Sequence, residues 1–321
     1  MKILVTGCAG FIGMHASLAL CRDGHDVFGV DSLNSYYDVK LKCSRLQLLK
    51  SYKNFNFSRI DLSIRDQTIQ YFDTVRPDYV LHFAAQAGVR HSVDFPYEYV
   101  SNNLVAFANV LEGCRSVRVS HLVFASSSSV YGSASQSPFK ETDNCDTPNS
   151  FYAATKRSTE LMAYSYSHLY KVPITGLRFF TVYGPWGRPD MAAFIFTRAI
   201  ISGEPIEVFN QGNMIRDFTY VSDIIHGTLL IMGKPPASSV PFHIFNIGNE
   251  NPVSLMYFIE TLEKLLGKKS QKILLPLQSG DVQETSANMD AMFEYCNMSP
   301  KIDVEEGLKN FVCWYRSYYQ V

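Results

Sequence analysis

The chain has 321 residues and a mass of 36.3 kDa, and its 46% hydrophobic content is enough to build one large core or two modest ones. A formal net charge of -1, with no basic run longer than Lys268-Lys269, excludes the phosphate-neutralising surface that nucleic acids and anionic membranes require. Seven cysteines spaced singly from Cys8 to Cys313, without a CxxC pair, give neither a disulfide framework nor a zinc site, and the eight histidines show no metal-ligand spacing.

The opening MKILVTG has an apolar run too short for a signal peptide, and no later run reaches the roughly 18 apolar residues of a membrane span. A soluble chain in the reducing cytoplasm is the expectation. KILVTG reads instead as a buried strand. The next residues, TGCAGFIG, place Gly7, Gly10 and Gly13 where a strand gives way to a helix predicted over Ile12 to Arg22 and stopped by Gly24. In that context glycines let the backbone approach a pyrophosphate, while the helix N-terminus supplies aligned N–H groups. Gly7, Gly10, Phe11, Ile12 and Gly13 are therefore candidate dinucleotide contacts.

The second strand, DVFGVD, ends on Asp31, a carboxylate able to accept hydrogen bonds from both adenosine ribose hydroxyls and to repel a 2′-phosphate. No Arg or Lys follows until Lys40, which favours NAD over NADP. FNFSRIDL, YVLHFAA, HLVFASS and PITGLRFF continue the series of near-continuous apolar strands, with a helix predicted over Phe151 to Tyr170. Strands and helices alternating in this way give an α/β fold, a doubly wound parallel sheet.

Beyond residue 181 the regularity falls away until FHIFNIG, which reads as one more sheet strand, followed by helical segments around LMYFIETLEKLL and EEGLKNFVCWYRSYY. Residues 1–181 with about 217–250 are expected to form the dinucleotide-binding Rossmann domain, and about 182–216 with 251–321 a smaller mixed α/β substrate-binding lobe.

Tyr152 and Lys156 in FYAATK stand four apart, on one helix face. A phenol titrates near pH 10 and needs about 1.4 kcal/mol of help per unit to act as a base at neutral pH. A lysine ammonium and a positively charged nicotinamide ring are expected to provide that help. A row of four serines, Ser126 to Ser129, closes the HLVFASS strand.

With the glycine triplet, the serine-rich strand end and YxxxK together, the whole chain resembles the extended short-chain dehydrogenase/reductase family of nucleotide-sugar enzymes. The resemblance implies bound NAD, with Tyr152 removing a sugar hydroxyl proton, Ser127 sharing its hydrogen bond and Lys156 holding the nicotinamide ribose. It also implies cofactor contacts at Asn34, Asp61, Leu62, Phe83, Ala84, Ala85 and Asn102. In this family the two residues after the catalytic Ser or Thr steer the chemistry. Dehydratases carry Asp and Glu there and decarboxylases carry Glu at the second place, whereas here they are Ser128 and Ser129, which move no proton at neutral pH.

RFFTVYGPWGRPDMA and SYYDVKLKCSRL resemble the UDP-glucuronate 4-epimerase branch of the family. The branch implies oxidation at carbon 4 of a UDP-sugar, rotation of the ketone and return of the hydride to its other face. Thr181 and Arg188 join Ser127, Ser128 and Ser129 as candidate contacts to the sugar acid, Arg188 through a guanidinium suited to a carboxylate. Phe209 matches a uracil contact, Arg216 a diphosphate contact and Asp281 a ribose contact, with Arg90 on a loop leading toward the substrate. Family members dimerise through the helix bearing the Tyr-Lys pair and the helix near residues 100 to 114, so a homodimer is the expected assembly. An epimerase for another UDP-sugar of the glucose or N-acetylglucosamine type, a UDP-glucuronate decarboxylase and a non-catalytic NAD-binding protein are the competing readings.

Overall fold

The computed structural model describes residues 1–133, 136–278 and 282–321. The six expected strands form as β1 Lys2–Thr6, β2 Asp26–Asp31, β3 Phe55–Arg59, β4 Tyr79–His82, β5 His121–Ser127 and β6 Ile174–Phe179. The inner strands β1, β4 and β5 are apolar almost throughout because both faces of the sheet are covered there: Ile3, Leu4, Val5, Val80, Leu81, Leu122 and Val123 have no exposed surface, whereas the edge strand β3, FNFSR, is only partly buried. The predicted seventh strand, Phe242–Ile247, joins β6 in parallel, giving a sheet ordered Phe242–Ile247, β6, β5, β4, β1, β2, β3. The order turns back between β1 and β4, and a crevice opens there at the carboxyl ends of the strands.

Helix α1 spans Phe11–Arg22, and the chain turns behind it at Gly24 with φ +79°. The Phe151–Tyr170 helix has the bounds its sequence predicts. Ser150 caps it by accepting the Ala153 N–H at 3.1 Å, and it ends at Lys171 in the left-handed region just before Pro173.

The smaller lobe is built from short pairings: Thr181–Tyr183 with Phe218–Tyr220, Ile206–Val208 with Lys272–Leu274, and Ile215–Arg216 with Val253–Ser254. Helices Ala192–Ser202, Leu255–Leu266 and Val304–Tyr319 close over a core containing Phe218, Phe258 and Phe311. Leu41, from helix α2 (Val39–Lys50) of the sheet domain, is buried in this same core. Two stretches cross the expected division: Phe218 and Tyr220, from within 217–250, are buried in this smaller core, and a later stretch returns to the sheet. Ala287, Met289, Met292, Cys296 and Met298 lie in the core of the sheet domain, and the Asp290–Cys296 helix packs on the Phe242–Ile247 strand.

Asp217 ties these pieces together. Its buried carboxylate accepts the backbone N–H groups of Asn249 at 2.6 Å, Glu250 at 3.1 Å and Ala287 at 3.0 Å, and the Thr219 hydroxyl at 3.0 Å. Burial raises its pKa while those donors oppose the rise. Among the described residues no helix is long and apolar enough to cross a membrane.

Candidate active site

The crevice widens into a cavity of about 970 Å³ running from the glycine turn to the small lobe. At the nucleotide end the turn is too tight for side chains. A Cβ on Gly13 would lie 2.1 Å from the Gly7 carbonyl oxygen, and one on Gly7, where φ is +69°, would lie 2.8 Å from the Ala84 nitrogen. Gly10 begins α1 with no side-chain cap, leaving first-turn N–H groups for an anionic ligand. The Thr6 hydroxyl shares a hydrogen bond with His82 Nδ1 at 2.8 Å and accepts the Ala84 N–H at 3.1 Å, which fixes the Phe83 to Ala85 strand end across from the turn.

Asp31 accepts the Ala9 N–H at 3.1 Å and the Leu33 N–H at 2.8 Å, one on each oxygen, so each oxygen keeps a lone pair for a ribose hydroxyl. Burial raises its pKa, and the Leu33 hydrogen bond and the Lys42 charge work against that. Lys42 is a finding that the linear distance from Asp31 concealed: it lines the cavity and donates to both the Asn34 carbonyl oxygen and Oδ1 at 2.7 Å. One helical turn on, Arg45 is fully buried. It donates to the Ala9 carbonyl at 2.9 Å, the Tyr37 hydroxyl at 2.6 Å, and the Trp186 and Gly187 carbonyls at 2.6 and 3.1 Å. One guanidinium thereby fastens the glycine turn to the loop that carries Arg188. The cradle's tight turn, open amides and ribose-facing carboxylate fit a dinucleotide.

At the reaction end Ser127 finishes β5, accepts the Ser129 N–H at 3.2 Å and donates to Ser129 Oγ at 3.1 Å. Ser126 differs from its neighbours. It is buried and donates at 2.6 Å to Glu160, whose carboxylate also takes Arg178 Nε at 2.8 Å, Arg178 Nη2 at 2.9 Å and Arg157 at 3.0 Å. Burial alone would raise the Glu160 carboxyl, but the guanidiniums and the hydroxyl override it and hold its pKa below the usual range.

Lys156, one turn before Glu160, donates to the Ala125 carbonyl at 2.9 Å. Burial pulls its ammonium down to about 8, against the opposing charge of Glu160. For Tyr152 burial raises the phenol's pKa, while the Ser127 hydroxyl and the Arg188 charge lower it. Arg188 thus adds a positive charge that bears on the phenol, one that the Tyr-Lys spacing did not announce. Tyr99 packs edge-on against Tyr152 with centroids 6.1 Å apart, and Asn103 links the Gln86 backbone to the Thr155 hydroxyl beneath it.

All the candidate residues among those described line this one cavity: Gly7, Gly10, Phe11, Ile12, Gly13, Asp31, Asn34, Asp61, Leu62, Phe83, Ala84, Ala85, Arg90, Asn102, Ser127, Ser128, Ser129, Tyr152, Lys156, Thr181, Arg188, Phe209 and Arg216. Asp281 lies outside the described residues. Four candidates have contacts that their linear motifs did not reveal. Arg188 is held by Asp190 through both carboxylate oxygens, the Nε bond being 3.0 Å. Arg90 lies over the Phe209 ring at 4.8 Å, and Arg216 donates to the Gln283 and Val282 carbonyls at 2.9 and 2.6 Å. Asn102 donates to the Glu98 carbonyl at 2.8 Å from an irregular, π-helical turn spanning Val100–Val105.

A doubly wound sheet, a glycine-bounded nucleotide cradle and a second lobe closing the same crevice define a dinucleotide-dependent enzyme. The chain belongs to the NAD dependent epimerase/dehydratase family, whose model matches residues 3–248. It is 48% identical to Protein CapI of Staphylococcus aureus, with all of both chains aligned. It is 43% identical to a probable UDP-glucuronate 4-epimerase of Rhizobium meliloti, over 100% of this chain and 98% of that one. In structure it is similar to the UDP-glucuronic acid 4-epimerase of Bacillus cereus solved with UDP-glucuronic acid and NAD, at a TM-score of 0.92 and 34% identity over 99% of this chain and 100% of that one.

Proposed function

We propose that this protein is an NAD-dependent UDP-glucuronate 4-epimerase that interconverts UDP-glucuronate and UDP-galacturonate. One observation carries the reading: Ser127, Ser128, Ser129, Thr181 and Arg188 line the same cavity as Tyr152 and Lys156, so hydroxyls and a guanidinium surround the reacting end without a free carboxylate in the serine row. Similarity to enzymes named for the same reaction supports it.

NAD, held by the glycine turn, Asp31 and Lys156, would supply a hydride acceptor that later returns the hydride. The protein's own work is the movement and placement of protons and charge. Tyr152 takes the proton of the carbon 4 hydroxyl and gives it back after the ketone has rotated, and Ser127 holds that oxygen by a hydrogen bond. Ser128, Ser129 and Thr181 donate to the sugar carboxylate without offering an acid or base. Holding the carboxylate matters because the 4-keto intermediate is a β-keto acid, which loses carbon dioxide when the bond to its carboxylate stands perpendicular to the ketone plane and its electron pair can flow into the carbonyl. In the small lobe, Phe209 is assigned to uracil, and Arg216 to the diphosphate.

Incubation with UDP-glucuronate, followed by proton NMR of the sugar, is expected to show UDP-galacturonate accumulating. UDP-xylose in its place would make the protein a decarboxylase, and conversion of UDP-glucose alone would make it a neutral-sugar epimerase. The latter has one observation in its favour, since Asp190 offsets the charge of Arg188.

The assembly we assign is a homodimer. Leu161, Tyr164 and Leu169 of the Phe151–Tyr170 helix, with Tyr97 and Val105 nearby in sequence to the second family contact helix, are all exposed apolar side chains. Sedimentation equilibrium should give twice the 36.3 kDa chain mass, and a monomer at micromolar concentration would refute the assignment. Seven unpaired cysteines suit a reducing cytoplasm, and a uronate product suits polysaccharide synthesis.

A further inference from the structure

Three separate segments meet at the mouth of the cavity beside Arg188. Asp190 takes the guanidinium side-on, through Nε and one Nη2 hydrogen. The Tyr36 hydroxyl, from the loop after β2, donates to Asp190 Oδ2 at 3.0 Å, and the Tyr36 ring lies 4.8 Å from that of His91. The turn at Gly88 is shaped around this phenol, since a Cβ there would sit 2.4 Å from the Tyr36 oxygen. Side-chain exposures of 22% for Arg188 and 31% for Asp190 show a pair that is partly shielded yet still reached from the cavity mouth.

A guanidinium has five N–H groups, and the side-on grip of Asp190 uses two. The remaining three lie on the two terminal nitrogens, where the Tyr36 hydroxyl also approaches the guanidinium, and that edge suits a second carboxylate end-on. Asp190 therefore does two opposed things. It fixes the direction in which Arg188 presents that edge, and it places a negative charge next to any acidic sugar drawn toward it.

We propose that Asp190, anchored by Tyr36, is a specificity-determining residue: it orients Arg188 for a sugar carboxylate and offsets its charge, setting how strongly the cleft prefers acidic over neutral UDP-sugars. The proposal rests on the reading of this cavity as a UDP-uronate site. The UDP moiety is common to acidic and neutral ligands, so its attraction to an altered local charge cancels in the ratio of their affinities. What survives in the ratio is the effect of Asp190 on the sugar carboxylate, its direct repulsion together with the direction it gives Arg188.

The test is calorimetric titration of the NAD-loaded protein with UDP-glucuronate and with UDP-glucose. Asp190→Asn keeps the shape and one acceptor for Arg188 but removes the charge. The ratio of the two dissociation constants should move about tenfold further toward UDP-glucuronate, as expected for deleting one charge several Å away in a partly shielded site. Tyr36→Phe keeps the Asp190 charge but loosens the anchor that aims Arg188, so it should move the ratio the other way, toward UDP-glucose, by a smaller factor, and it serves alone should the Asn variant fail to fold. A wild-type preference for UDP-glucuronate that neither variant changes would overturn the role of Asp190 and leave the uronate reading standing. A wild type with no such preference would overturn both.

Discussion

Replacing Tyr152 by Phe is expected to reduce epimerase turnover by about a hundred- to ten-thousand-fold, the usual contribution of a positioned general acid or base, while NAD remains bound. The ring keeps its edge-on packing against Tyr99, so the substitution removes one hydroxyl and little else. In the structure that hydroxyl is pushed toward the neutral phenol by burial and drawn toward the phenolate by Ser127 and Arg188. Steady-state kinetics together with the nucleotide content of the purified variant provide the check. Near-normal turnover with NAD still present would remove Tyr152 from the role of base.

The largest effect on stability is expected from Glu160→Ala, which strands Arg178 in the core. Arg178 is 2% exposed, and Glu160 supplies it with two of its hydrogen bonds, at 2.8 and 2.9 Å. Removing one partner of such a buried pair costs about 3–5 kcal/mol, because the other charge remains desolvated and unmatched. Urea denaturation of the NAD-free protein measures it, and a loss below about 1 kcal/mol would show that water reaches Arg178 after all. Replacing both residues by Met should recover much of the loss. The same change has a sign at the active site. Glu160 holds up the Lys156 pKa, which burial has brought down to about 8, so its removal lowers that pKa further and moves the loss of the lysine charge to lower pH.

Much of the fold was legible because parallel strands buried on both faces leave an unambiguous mark. KILVTG, DVFGVD and HLVFASS can hardly serve another purpose, and the Tyr152-Lys156 helix carries its own stop signal in Pro173, with the Ser150 cap added by the structure. The nucleotide end was similarly local, because the tight turn needs its glycines within seven residues, from Gly7 to Gly13. What stayed hidden was long in sequence and short in space. Nothing near Arg45 announces that its partners are Ala9 and Gly187, and nothing near Met289 or Met292 announces a return to the core of the sheet domain. Asp190 stood in plain view in GRPDMA, yet only the folded loop shows that it holds Arg188, two residues away, side-on. A pattern reports which face a residue occupies; a partner is chosen by the whole chain.

The buried fork of Arg45 has one more consequence. Arg45 fastens the glycine turn to the loop that bears Arg188, and His15 of α1 adds a second tie through the Pro185 carbonyl at 2.9 Å, so slack introduced at either end is passed to the other. On the proposed reading of the cavity, holding the coenzyme and choosing the hexose are thereby mechanically joined, and a change made at one end is expected to be felt at the other.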